Sequence, residues 1–532
     1  MSASPHSSRP RLLCWWLGLL FLLICACYLW LISYGTFRLN GQEMRGVAFD
    51  SLGYSLLHGR ADVEPTTINW EGFDFKGKRY IHYGPFPALL RVVGNLVAPQ
   101  MYGKWSRPSC LLGGVLALLA FTLVAREALA GNERLSLQVR RTHMAVAVIG
   151  FGLGTPLAYL VSCGRVYHEA VIWALCGALF SLLFILRLVL RRTGEIRGLL
   201  LLSVCFAVTS LTRLTFAIPV GLALALLAVR SLWQRLSTPG SSRRRIARGL
   251  PLAAALLPAL FAVTVQLWYN HERFGSIFKS IDFAGNYLKP ESFGGTFNLR
   301  RIPSALRNYF GFHGRLSAMP PYFEMEKVTY ADDSIFFDWK EHTFSLTLSS
   351  IWLVLGAFLG VLRLPRKDAS WARVFVAFYA IEALTICAFY FVTQRYAAEF
   401  LPLLALLYAV FLIGQAPEGR IARLTPWTFL GLALLSSAIT VGSSLHWNMV
   451  YNGDGPQEYK NRLARLLTPV PKGLLPPWPG RQVFVSDLTP IGETFEGNRP
   501  HKNDTTWDDK LIAFRRYLFP RGIGMHANAT LT

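Results

Sequence analysis

Residues 12–34 read LLCWWLGLLFLLICACYLWLISY, an unbroken apolar run that follows Arg9 and Arg11. With 1.5 Å of rise per residue, a helix of about 20 such residues crosses the ~30 Å hydrocarbon core of a bilayer. A cleavable signal has an apolar core of only about 7–15 residues and a small-residue cleavage site. This run is longer and bulkier, so it reads as a retained anchor. Comparable runs recur at 109–127, 143–162, 169–189, 197–211, 214–230, 250–270, 344–362, 373–392, 398–415 and 426–445. The chain of 532 residues is 52% hydrophobic. Its expected fold class is therefore an all-α polytopic membrane protein of about eleven transmembrane helices.

The net charge of +23 points away from nucleic acid once the charges are placed. Lys and Arg concentrate in alternate short loops: Arg126/Arg134/Arg140/Arg141, Arg187/Arg191/Arg192/Arg197, Arg235/Arg243/Arg244/Arg245/Arg248, Arg363/Arg366/Lys367 and Arg420/Arg423. That alternation is the positive-inside signature. It puts the N-terminus in the cytoplasm and leaves a first loop (35–108), a second long loop (271–343) and a tail (446–532) outside. The expected organisation is a membrane module over 12–445 followed by a small extracytoplasmic tail. All cysteines lie in or beside spans, which disfavours a disulfide framework or a cysteine zinc site.

The first loop is unusually long for a connection between neighbouring spans. Apolar residues at 49, 52, 56 and 57, and again at 86, 89, 90, 93 and 97, have helical spacing. They predict two amphipathic helices lying on the membrane surface. Between them, Thr67–Phe75 and Arg79–Tyr83 flank Lys76-Gly77-Lys78, a strand–turn–strand pattern. Asp50, at the start of the first helix, reads either as an N-cap or as a general base. Spans five and six are short and meet at Leu211-Thr212-Arg213, so the pair is expected to stop around a wet cavity. Glu382, an acid inside the ninth span, is either functional or a partner of Arg213. Asp332, Asp333 and Asp338 form an acidic cluster that a divalent cation could use.

Asp74, Gly77, Tyr80, Tyr83 and Pro85 fill a DxxGxxYxxYxP spacing. With the long first loop, Tyr167-His168-Glu169-Ala170, Leu211-Thr212-Arg213, Tyr269-Asn270-His271-Glu272-Arg273 and Gln394-Arg395-Tyr396, this pattern resembles the GT-C glycosyltransferase superfamily. Protein mannosyltransferases and the lipid A aminoarabinose transferase are members. The resemblance covers roughly residues 12–415. It implies an inverting transferase that moves a sugar from a polyprenyl-phosphate carrier to a glycan, lipid or protein acceptor outside a bacterial inner membrane. No cofactor is required by it, and no nucleic acid is a partner.

In that family an acid of the first external loop takes the acceptor's proton. Asp50 is the positional match and Glu43 the alternative, because the family's usual Asp-Glu pair reads Asp50-Ser51 here. Cations for the departing phosphate are then expected among Arg213, Arg273, Arg395, Arg45, Arg165 and Lys78. Substrate contacts are expected among His82, Tyr83, His168, Glu169 and Glu399. Two of these pairs, Arg395–Glu399 and Arg165–Glu169, also have the spacing of a simple i,i+4 bridge. The competing function classes are an O-antigen polymerase or ligase and a lipid-glycan flippase. The flippase reading favours internal repeats, and none is evident.

Overall fold

Apolar runs become helices because a chain in hydrocarbon must satisfy every backbone group within itself. The computed structural model describes residues 14–41, 45–68, 71–132, 134–237, 242–279, 290–316, 321–337, 340–416, 420–450 and 459. Each of the eleven expected spans is helical within these limits. In chain order the helices are α1 (Cys14–Ile32), α2 (Val47–Leu57), α3 (Phe86–Val97), α4 (Ser106–Ala130), α5 (Leu137–Leu153), α6 (Pro156–Cys163), α7 (Val166–Val189), α8 (Glu195–Ser210) and α9 (Leu214–Ser237). They continue with α10 (Ser242–Phe274), α11 (Ile302–Phe310), α12 (Leu346–Ser349), α13 (Ile351–Val361), α14 (Ser370–Ala388), α15 (Leu401–Ile413) and α16 (Arg420–Val450).

The span count differs from the expectation. Among the described residues eight helices are long and apolar enough to cross a membrane, or nine if a bent pair counts as one. The bent pair is α5 and α6, which turn by 41° at Gly154-Thr155. Pro156 opens α6, and the Thr155 hydroxyl accepts the Leu157 N–H as its cap. The carbonyl of Gly154 at the break accepts the Trp352 indole N–H at 3.1 Å, so the broken ladder is partly re-satisfied. The fifth expected span, α8, has only 16 residues, and the eighth divides into α12 and the 11-residue α13. The sixth is not short: α9 runs on to Ser237 and has 24 residues.

The densest core joins α4, α5, α13 and α15 through Phe121, Phe151, Trp352 and Tyr408, with Phe121 stacked on Phe151 at 4.0 Å. Helix α1 turns Leu19, Leu22 and Leu23 outward and buries Ile24, Tyr28 and Leu31, as a lipid-facing helix at the edge of a bundle should.

The first loop forms the two helices and the hairpin. Strands β1 (Phe73–Phe75) and β2 (Lys78–Tyr80) pair antiparallel. Lys76 and Gly77 both have positive φ, the requirement of a tight two-residue hairpin turn, so Lys78 belongs to the strand and not to the turn. Phe49, Leu52, Ile68, Phe73, Tyr80 and Ile81 make a small core of their own against Tyr269 and Phe274 of α10. The two helices face opposite ways. α2 turns Ala48, Phe49 and Leu52 into this core and exposes Tyr54 and Leu57, whereas α3 exposes Leu89, Val93, Leu96 and Val97 and buries Arg91. An apolar face presented outward is what an interfacial helix offers a bilayer.

The described part of the second loop is fastened by Arg301. Its buried guanidinium donates to the carbonyls of Phe293, Gly295, Thr296, Ile335 and Ala388 at 2.6–3.1 Å. Strand β3 (Glu326–Lys327) pairs with β4 (His342–Thr343) and sets Glu341 beside the start of the 394–400 helical turn. The expected tail lies outside the described residues apart from its first few positions and Tyr459, as do Glu43 and Asp338.

Replacing Arg301 with Ala leaves five carbonyls without that donor. A charged hydrogen bond contributes about 1.5–3 kcal/mol, so the loss should reach about 4 kcal/mol. Arg301→Lys, with a compact ammonium in place of the planar fork, should recover only a fraction. Thermal unfolding of the purified protein in detergent reads both; an Arg301→Ala variant with an unchanged midpoint would remove the clamp from this account.

Candidate active site

The first loop, the second loop and the turns at 163–169, 211–213 and 389–399 converge at one end of the bundle. Gly84 makes one contact possible: a Cβ there would sit 2.3 Å from the Leu211 carbonyl oxygen. That carbonyl accepts the Phe86 N–H at 2.9 Å. The hairpin is therefore held directly against the turn that carries Arg213. The Tyr269 hydroxyl donates to the Tyr83 carbonyl at 3.0 Å and ties the same segment to α10.

Two clusters of charge occupy this end. In the first, Asp50 accepts the Asn95 amide at 2.7 Å, and the Trp105 indole fixes that amide by donating to its oxygen at 2.8 Å. Arg91 lies between two carboxylates, 3.7 Å from Asp50 and 2.5 Å from Glu169. All three side chains are buried, and Asp50 is 1% exposed. Asp50 is not an N-cap: Gly46 holds that position and Asp50 sits in the first turn of α2. Burial pushes the Asp50 carboxyl above the usual carboxylate range, against the opposing pull of Asn95 and Arg91.

The second cluster is more open. Arg45 pairs with Glu71 at 2.5 Å, and the Tyr167 hydroxyl accepts from Arg45 while donating to Glu71. Arg395 lies over the same ring at 5.7 Å, and Tyr83 meets that ring edge-on at 5.9 Å. Arg395 pairs with Glu341 of the second loop at 3.1 Å, not with Glu399. Tyr396 then bridges Arg395 to Arg213, with the two guanidiniums 5.2 Å and 4.5 Å from its ring. Arg213 pairs with Glu399 at 2.6 Å. The result is a row of Arg45, Arg395 and Arg213, spaced by Tyr167 and Tyr396, with one carboxylate on each arginine. Glu71, with its side chain 20% exposed, stands at one end of the row. Burial raises its carboxyl, while Arg45, Tyr167 and Arg395 act in the opposite direction.

Three of the six expected phosphate cations thus come together. Arg165 lies at the edge of the group, where it and Arg395 both act electrostatically on the buried His168. Arg273 is placed elsewhere: it is buried, donates to the Ile81 carbonyl at 3.1 Å and stacks on Tyr269 at 3.9 Å, which fastens the first loop to α10. Lys78 is on the hairpin, 3.9 Å from Asp62. His82 is half-buried and packs against Phe73 of the hairpin at 4.8 Å. Asp332 accepts from Ser334, and Asp333 pairs with Lys340 at 2.8 Å. Among the described residues no group of three or more His, Cys, Asp or Glu side chains is set to hold a metal ion.

Sequence reasoning missed Glu71, Glu341 and Arg91. The one available signal was the concentration of acids in the outside segments, which does not say which cation each will meet.

No family model matches the chain, and no curated protein matches it. Among solved structures it is similar to the oligosaccharyltransferase of Archaeoglobus fulgidus. The apo form is 15% identical with a TM-score of 0.40, over 87% of this chain and 61% of that one. The same enzyme, AglB, in complex with an inhibitory peptide and a dolichol-phosphate is 14% identical with a TM-score of 0.38, over 87% and 61%. With a tethered acceptor peptide it is 16% identical with a TM-score of 0.38, over 86% and 59%. The chain thus spans about three fifths of the length of the structures it matches.

Removing the cation from the buried triad should be far worse than neutralising one acid. Arg91→Met strands two buried carboxylates and should cost about 3–5 kcal/mol. Asp50→Asn keeps the Asn95 contact and leaves a balanced Arg91–Glu169 pair, so it should cost about 1 kcal/mol or less. Because the folded Asp50 holds its proton more tightly than the unfolded chain does, its contribution falls as pH rises upward from about 4. Denaturant unfolding across pH should show that slope flatten in Asp50→Asn; a steeper slope would contradict the assignment.

Proposed function

We propose that this protein is a membrane glycosyltransferase that moves a sugar from a polyprenyl-phosphate carrier to an acceptor hydroxyl outside the cytoplasm. The observation that carries the reading is the arginine row with a partly exposed carboxylate at its end. Sugar transfer from such a carrier needs a base for the incoming hydroxyl and guanidiniums for the departing phosphate. It also needs a position beside the bilayer, because the lipid tail cannot leave it. The exposed apolar face of α3 supports that position, and the convergence of both long loops supports an extracytoplasmic site.

Within this reading Arg395 and Arg213 receive the phosphate, exchanging Glu341 and Glu399 for its oxygens. Glu71 takes the acceptor's proton. Asp50 is enclosed and committed to Asn95 and Arg91, so it holds the first loop in shape and does not meet substrate. Tyr167 orients Glu71 through its hydroxyl, and Tyr83 and Tyr396 offer ring faces to the sugar or the carrier.

Transfer of labelled sugar from polyprenyl-phosphate donor in proteoliposomes tests these roles. Glu71→Gln should abolish transfer with folding intact, whereas Asp50→Asn should retain most of it. Arg395→Lys should lose roughly 100-fold in kcat/KM, the loss typical of an electrostatic donor. Glu71 acts only when ionised, so wild-type activity should rise with pH through a value above the usual carboxylate range. A Glu71→Gln enzyme that still transfers, beside a dead Asp50→Asn, would return the base to Asp50.

A further inference from the structure

Beside Arg213 lie two buried carboxyls, of which only Glu399 pairs with it. Glu399 and Glu382 of α14 are both 0% exposed. Arg213 reaches Glu399 at 2.6 Å, and neither oxygen of Glu382 has a hydrogen-bond partner among the described residues. The charged groups acting on Glu382 are Glu399 and Arg213. Tyr379 faces it from its own helix. From the packed elements, Tyr396 and Thr215 flank the Arg213–Glu399 pair, Arg395 acts on Arg213 past the Tyr396 ring, and Tyr309 of α11 lies beyond Tyr396.

A buried carboxylate without a cation takes a proton in preference to remaining charged. One guanidinium neutralises one of the two acids, so the other holds a proton at rest. Arg213 is the member of the trio that reaches the surface, with its side chain 22% exposed and its guanidinium over the Tyr396 ring. An anion that engages it competes with Glu399 for the same fork. When the guanidinium turns to the anion, Glu399 is left buried beside a second acid, and no other cation contacts it among the described residues.

We propose that Arg213, Glu399 and Glu382 form a proton-coupled anion site, in which binding of a phosphate- or sulfate-type ester at Arg213 draws one proton from water onto the glutamate pair. The Arg213–Glu399 ion pair breaks, an Arg213–anion pair forms, and one O–H bond is added to a carboxyl; no electrons are exchanged. The inference rests on Arg213 as a phosphate contact and adds what compensates the charge. Its consequence is that carrier binding discharges the buried pocket, and product release returns the proton to water.

Calorimetry with the full chain in detergent tests this, using an isoprenyl sulfate ester as the probe. Its charge is constant across the working range, whereas a phosphate monoester itself titrates near pH 6. Titrations in two buffers of different ionisation heat should show about one proton taken up per ester bound. Affinity should tighten by up to about tenfold for each pH unit of acidification. The Glu382→Gln/Glu399→Gln double variant should bind with no uptake and no pH slope; either single variant leaves one acid to do the work. Uptake retained in the double variant overturns the proposal. Wild-type binding without uptake overturns it too, yet leaves Arg213 as a phosphate contact. A wild-type protein that binds no ester overturns both. Should the double variant fail to fold, the wild-type buffer series decides alone.

Discussion

A guanidinium at the edge of hydrocarbon is tolerated only beside an anion or a set of carbonyls, and this requirement organises the loop end of the molecule. Arg45 is met by Glu71, Arg395 by Glu341, Arg213 by Glu399, and Arg91 by Asp50 and Glu169. Arg273 and Arg301 are met by backbone carbonyls. Most of these partners are far away in the chain. Each pairing therefore fastens a loop or turn to another element, and together they bring the two long loops over the same helix ends.

The same requirement balances the charges of the second cluster, where Arg45, Arg395 and Arg213 each carry a carboxylate, are spaced by the rings of Tyr167 and Tyr396, and stay partly exposed. The fully enclosed triad around Arg91 has the opposite character. Its members are committed to one another, and it supports the first loop from below while α3 presents its apolar side outward.

Much of the architecture was legible in the chain. The apolar runs marked the helices, and the hairpin at Lys76-Gly77 and the helices on either side of it followed from spacing and turn chemistry. The break in the third expected span at Gly154-Thr155 and the long α9 were not anticipated, because hydropathy averages over the residues that bend or prolong a helix. Within the site, Arg45, Arg213 and Arg395 were picked out as arginines of the outside turns, and they do assemble. Arg273 and Lys78 carried the same signal and went elsewhere, since a positive charge in a loop says nothing of what will accept it. Asp50 looked like a cap or a base from its place in the helix. Gly46 takes the cap position, and Asp50 is enclosed with Asn95 and Arg91.

The sequence by itself determined the class of fold, the location of most helices and the segregation of charge into alternate loops. These depend on local periodicity and on the cost of exposing backbone to lipid, both of which are written into short stretches of chain. Only the tertiary structure decided which acid meets which arginine, and so left Glu71 partly open while enclosing Asp50. Such pairings join residues that are distant in sequence, and their strength depends on burial and geometry that exist only once the helices have packed.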